Sequence, residues 1–137
     1  MSLFVDTSAW YAAVDAGDGS HRRAAKVLTA GEPLVTSDHV LAETWLLLRY
    51  RLGRQAAERF WEGLRAGVAT IAIVGEADLE AAWAIGQTFQ DQDFSIIDRT
   101  SFAVMQRLGI DRVASFDDHF AVYRYGRNRN RAFEVLR

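Results

Sequence analysis

Apolar runs of three to seven residues alternate along this chain with stretches patterned for helices. Leu3-Phe4-Val5, Pro33-Leu34-Val35, Val68 to Val74 and Arg112 to Phe116 read as strands, and a last short strand falls near Phe133 to Leu136. The first helix follows the first strand and ends about Ala16, and a second runs from His21 to Ala30. The longest, Asp38 to Leu52, is capped by Ser37, stopped by Gly53 and followed by a partner from Arg54 to Ala66. Two more cover Glu76 to Gln90 and the stretch from the Ser95 cap to Leu108. The boundaries have a chemical cause: serine side chains accept backbone N–H bonds at helix starts, and glycine tolerates the backbone that ends a helix. Short apolar strands separated by helices predict an α/β fold, with a parallel sheet covered on both faces.

The 137 residues, 50% hydrophobic and 25% charged, suit one domain spanning 1–137 around a single core. The absence of cysteine excludes disulfides, thiolate metal sites and a cysteine nucleophile, and fits a reducing cytoplasm. No apolar run approaches the roughly 20 residues of a membrane span. No basic residue precedes Arg22, so no signal peptide is expected.

Four acidic residues draw attention by position. Asp6 stands where the first strand meets a helix, which suits a helix N-cap. Asp98 completes a capping box with Ser95, and Asp117 follows a strand in what reads as a turn. Glu43 is harder to explain locally. At about 100° per residue it borders the apolar stripe of Leu41, Trp45 and Leu48, where a carboxylate needs a partner or a cation to offset its desolvation. In an open parallel sheet the carboxyl ends of the strands face a common crevice where strand order reverses. Asp6 and Asp117 lie at two such ends, and the helices carrying Asp98 and Glu43 can approach it. Converging carboxylates repel one another, and Mg²⁺ or Mn²⁺ relieves that repulsion with the oxygen ligands these ions prefer.

Val5-Asp6-Thr7-Ser8-Ala9-Trp10, Leu41-Ala42-Glu43-Thr44, Phe94-Ser95-Ile96-Ile97-Asp98 and Ala114-Ser115-Phe116-Asp117-Asp118-His119-Phe120 resemble, in order and spacing, the signature blocks of PIN-domain proteins. The similarity is greatest to the VapC-type ribonuclease toxins of toxin-antitoxin modules. The resemblance implies a three-layer fold with a short, mostly parallel central sheet of four to five strands flanked by helices. It also implies a Mg²⁺- or Mn²⁺-dependent endoribonuclease that cuts single-stranded or loop RNA, leaves a 5′-phosphate and a 3′-hydroxyl, and inhibits translation. A cognate antitoxin protein and a homodimer are the implied partners. Carried over by position, the catalytic and metal-binding acids are Asp6, Glu43, Asp98 and Asp117, with Asp118 or Asp93 as alternatives for the fourth. Ser8 and Ser115 match hydroxyl positions that orient the acids.

Other residues have plainer readings. His119 is expected to make a helix-start or RNA contact, His21 and His39 to decorate the surface, and the four tryptophans to serve mostly as core or interface. A receiver domain also gathers aspartates at strand ends, but would carry a lysine after its last strand, whereas the sole lysine here is Lys26. A DxDxT phosphatase fails because Asp6 is followed by Thr7-Ser8. A non-catalytic PIN scaffold would be expected to have lost acids, and all four positions are kept.

The formal charge of −2 disfavours a nucleic-acid partner only while it is read as one number. Residues 1–120 hold 11 basic and 17 acidic side chains, a net −6, whereas 121–137 hold five arginines against Glu134, a net +4. The tail arginines Arg124, Arg127, Arg129 and Arg131 are candidates for contacts to RNA phosphates or for antitoxin docking.

Overall fold

The computed structural model describes residues 1–137. Its elements run β1 (Leu3–Val5), α1 (Thr7–Val14), α2 (His21–Leu28), β2 (Leu34–Ser37), α3 (Asp38–Leu52), α4 (Arg54–Arg65), β3 (Thr70–Ala72), α5 (Glu76–Thr88), α6 (Ile96–Leu108), β4 (Arg112–Ala114), α7 (His119–Val122) and β5 (Glu134–Leu136), with a 3₁₀ turn at Arg127–Arg129. All five strands are parallel, in the order β3-β2-β1-β4-β5. The expected α/β class and the expected last strand are both present.

Strand order explains the position of the site. From β1 the chain moves outward through β2 to β3, then crosses to the other side of β1 and continues through β4 to β5. The order therefore reverses between β1 and β4, and a crevice opens beyond their carboxyl ends. Leu3, Phe4 and Val5 are wholly buried, as a central strand with helices on both faces requires. The ladder continues just past the strands: the Asp6 amide donates to the Ala114 carbonyl at 3.1 Å, and the Ser115 amide to Leu136 at 3.2 Å.

Several expected elements are shorter. The third strand covers Thr70–Ala72 rather than Val68 to Val74, and the fourth stops at Ala114 rather than Phe116. In the fourth, the chain turns so that the hydroxyl of Ser115, at zero exposure, points to Asp6 instead of continuing the pleat. Two local signals hold as expected. Ser37 caps α3 by accepting from the Val40 amide at 3.0 Å, and Gly109, at φ 68°, takes the left-handed conformation that closes α6.

The core behind the crevice is aromatic. Tyr123 stacks on Phe102 with ring centroids 4.2 Å apart, while Phe94 and Phe120 meet Phe102 edge-on. On the far side of α6, Arg107 grips buried Asp78 of α5 through Nε at 2.9 Å and Nη2 at 3.0 Å, a bidentate tie between the two helices. No helix is long and apolar enough to cross a membrane.

Candidate metal centre

Asp6 occupies the N-cap position of α1, but its side chain does not cap the helix. Its Oδ2 instead accepts two hydroxyl hydrogen bonds, each 3.0 Å long, from Ser8 in the first turn of α1 and from Ser115 beyond β4. Each hydroxyl has one proton, and both are directed at the same carboxylate oxygen. The 3.3 Å approach of the two serine oxygens is therefore a packing contact. The hydroxyls are fixed in turn by backbone donors, since the Phe116 amide donates to Ser8 Oγ at 2.9 Å and the Asp117 amide to Ser115 Oγ at 3.1 Å. Both residues expected to orient the acids touch Asp6 directly.

Asp98 sits at the third position of α6 in the expected capping box: its amide donates to Ser95 Oγ and its Oδ2 accepts from the Ser95 amide, both at 3.0 Å. The same oxygen lies 2.7 Å from Nδ1 of His119. His119 begins α7, as a helix-start residue should, yet its ring faces the acids, 3.4 Å from Asp117 Oδ1. Asp117 Oδ1 also accepts from the His119 amide at 2.8 Å, which fixes the turn that presents both side chains.

One ligand atom each from Asp98, Asp117 and His119 lies within 4.8 Å of the others. Asp6 stands outside this group but near enough for the Asp98 charge to act on it. Glu43 does not join the group. It is half-buried in α3 and lines a separate apolar cleft of about 420 Å³ with His39, Leu46, Ile96 and Ile97. Asp118 points away and pairs with Arg137 at 2.9 Å, so of the two neighbouring acids it is Asp117 that faces the cluster. Asp93 acts on His119 only through its charge.

The electrostatics follow from this arrangement. Burial pushes Asp6 up to about 6, the hydroxyls of Ser115 and Ser8 resist the shift, and the Asp98 carboxylate adds to it. Burial disfavours the charged His119 ring, but the hydrogen bond and charge of Asp98, with Asp117 and Asp93, outweigh it and raise its pKa. No arginine or lysine pairs with Asp6, Asp98 or Asp117; His119 is the sole basic side chain at ion-pair distance. A set of carboxylate oxygens with no guanidinium or ammonium partner fits a hard divalent cation.

The tail arginines have mixed surroundings. Arg124 Nη1 donates to the carbonyls of Ala121, Val122 and Tyr123 and is held at the end of α7. Arg131 lies over Tyr125 and Arg129 over Phe89, while Arg127 is exposed. Sequence reasoning gives His119 a helix-start or RNA contact and misses its bond to Asp98. Its position two residues after Asp117 was visible, but the turn that swings its ring onto Asp98 was not.

The parallel sheet, its reversal at β1 and β4 and the acids gathered there are those of a PIN domain. The sequence profile of that family matches residues 3–125, and the chain belongs to the PIN-domain family. Among its relatives, the 23S rRNA-specific endonuclease VapC20 of Mycobacterium tuberculosis is 40% identical over 121 residues, covering 87% of this chain and 92% of the relative. The crystal structure of VapC20, described as a Sarcin-Ricin loop cleaving toxin, superposes with a TM-score of 0.82 at 37% identity over 87% of this chain and 92% of that one. Ribonuclease VapC26 of the same organism is 29% identical over 124 residues, 89% of this chain and 92% of its own. FitAcB from Neisseria gonorrhoeae shares the fold, with a TM-score of 0.68 at 16% identity over 100% of this chain and 97% of that one.

Proposed function

We propose that this chain is a divalent-metal-dependent endoribonuclease, the toxin of a toxin-antitoxin pair that inhibits translation by cutting single-stranded or loop RNA. The observation that carries the reading is the cluster of Asp98, Asp117 and His119 beside a buried Asp6, with no arginine or lysine to neutralise it. Asp6, Asp98 and Asp117 would hold Mg²⁺ or Mn²⁺, with Glu43 approaching from α3. When bound, the ion supplies charge neutralisation at the phosphodiester and lowers the pKa of a water.

The chain's own groups have separate tasks in this scheme. Ser8 and Ser115 hold Asp6 Oδ2 through two hydroxyl bonds and leave Oδ1 outside that network. The Ser95 amide and His119 hold Asp98 Oδ2 from two sides. Such outer contacts fix a carboxylate's direction before a ligand arrives. Arg129 carries positive charge toward the same end of the molecule, since Phe89 beneath it packs on Phe94, which meets the His119 ring, and Arg127 lies exposed two residues before it. Arg124 and Arg131 belong to the same basic segment.

The 40% identity to a 23S rRNA-specific endonuclease makes a ribosomal RNA loop the first substrate to test. A cognate antitoxin protein, a homodimer, a cytoplasmic site of action and products ending in 5′-phosphate and 3′-hydroxyl complete the reading. The test is to incubate the purified chain with intact ribosomes and with total RNA, with Mg²⁺, Mn²⁺ or EDTA, and to map the cut ends. Cleavage that persists in EDTA, or in Asp98→Asn, would overturn the assignment.

A further inference from the structure

Beside the carboxylates, α1, the loop after it with Asp18 and Ser20, and the end of α3 line a second cleft of about 240 Å³, where Asp18 Oδ1 accepts from the Ser20 amide at 2.8 Å. Ser8 forms the wall it shares with the metal centre, for its hydroxyl touches Asp6 Oδ2 and takes the Phe116 amide bond. Phe116 and Tyr11 both line it, and each has a guanidinium over its ring: Arg51, itself in the lining, lies 5.1 Å from the Tyr11 centroid, and Arg23, just outside the lining, lies 5.3 Å from that of Phe116. Both arginines are exposed, and neither is in a salt bridge, although the chain's other ion pairs occupy four arginines. Arg23 Nη2 donates to Ser20 Oγ at 3.0 Å, which anchors one edge of its fork.

A guanidinium held over a ring is restrained by that contact while its N–H groups stay free to bond a ligand. One such group in the wall of a small, largely apolar cleft and a second beside it match the spread charge of a phosphate and the apolar face of its sugar better than they match a protein side chain. The volume is below the 300 to 1,000 Å³ typical of sites for whole drug-sized ligands. Resting on the ribonuclease reading above, we propose that this cleft is a phosphate subsite for single-stranded RNA. It takes a backbone phosphate next to the one at the metal centre, with Arg23 and Arg51 as its ligands. The cleft fixes the strand's register, and the carboxylates act on the neighbouring linkage.

The experiment measures binding without cleavage. A fluorescein-labelled single-stranded oligoribonucleotide is titrated with metal-free protein in EDTA over a range of salt concentrations. Each phosphate contact to a single strand contributes about 0.7 to the slope of log K against log salt. The double variant Arg23→Gln/Arg51→Gln should bind about tenfold more weakly, with a slope smaller by about 1.4. The charge-conserving Arg23→Lys/Arg51→Lys variant should recover the slope, and Arg65→Gln on the outer end of α4 should match wild type. Both arginines are exposed, so unchanged melting temperatures will show that the variants fold. A wild-type slope in the double glutamine variant overturns the subsite, including the case where only binding to a protein partner is lost. Should wild type bind with an arginine-dependent slope yet never cut RNA with metal present, the subsite stands and the ribonuclease reading fails. Should wild type cut RNA and the glutamine variant bind and cut equally well, the reverse holds.

Discussion

Nδ1 of His119 lies 2.7 Å from Oδ2 of Asp98, on the oxygen that also accepts the Ser95 amide. The ring therefore completes the contacts that hold the buried carboxylate in one direction, and its own position is set by Asp117 through the amide at the start of α7. His119→Ala should leave the fold intact and lower metal affinity or cleavage by about 10- to 100-fold, the usual effect of removing a group that orients a ligand. Metal titrations followed by both cleavage and thermal shift check this; equal metal midpoints for variant and wild type would remove His119 from the site.

Asp6→Asn and Asp98→Asn should each abolish detectable cleavage in mapped-end assays. In EDTA neither should lower the melting temperature substantially, because each removes one of several mutually repelling charges. Asn keeps a carbonyl oxygen for the two serine hydroxyls on Asp6. A variant that unfolds in EDTA would show that the carboxylate is structural.

The raised pKa of Asp6 makes the metal-free protein pH-sensitive. Folded Asp6 titrates at about 6 against 3.8 for the ordinary group, so between those values the folded state binds more protons than the unfolded one. Stability attributable to Asp6 is greatest at acid pH and declines as pH rises through about 4 to about 6. At about 1.4 kcal/mol per pH unit the change is roughly 3 kcal/mol. Denaturant melts in EDTA across this window should show the decline in wild type and a flatter profile in Asp6→Asn.

Divalent metal should reverse that penalty. A ligand selective for the native state stabilises by about 2.7 kcal/mol at a hundred times its Kd. Mg²⁺ or Mn²⁺ should raise the melting temperature near neutral pH, with a smaller effect below pH 6 where Asp6 holds its proton. The absence of any shift at millimolar metal would count against a shared site.

Ser8→Ala and Ser115→Ala each delete a hydroxyl that lowers the Asp6 pKa. Both should move the acid limb of the cleavage profile to higher pH. Arg107→Met is the contrasting case. It removes the bidentate hold on Asp78, and should cost about 1–3 kcal/mol in stability with cleavage and its pH profile unchanged.

Much of this arrangement was legible from local chemistry. The Ser95–Asp98 capping box, the Ser37 cap and the glycine stop after α6 follow from residues within a few positions of one another, and the structure has all three. The strand alternation required a covered parallel sheet, and the ordered motif blocks pointed to the PIN family. Glu43 and His119 were harder to assign. On helical spacing, Glu43 borders a core stripe, but only the packing of α3 against α6 shows that it lines a cleft with Ile96 and Ile97, the two residues before Asp98. For His119 the sequence predicted a helix-start or RNA contact but not its bond to Asp98, because the turn after β4 has no periodicity from which its ring direction follows.

By itself, the sequence determined which elements form and which acids and hydroxyls are available, because helix caps and apolar periodicity act over a few residues. The tertiary structure decided which of those groups meet. Ser115 reaches Asp6 across 109 positions, and His119 reaches Asp98 across 21. Both contacts exist because β4 docks beside β1 at the reversal of strand order and the chain then turns inward. That docking is a property of the whole buried sheet, whose long-range packing no local pattern of residues encodes.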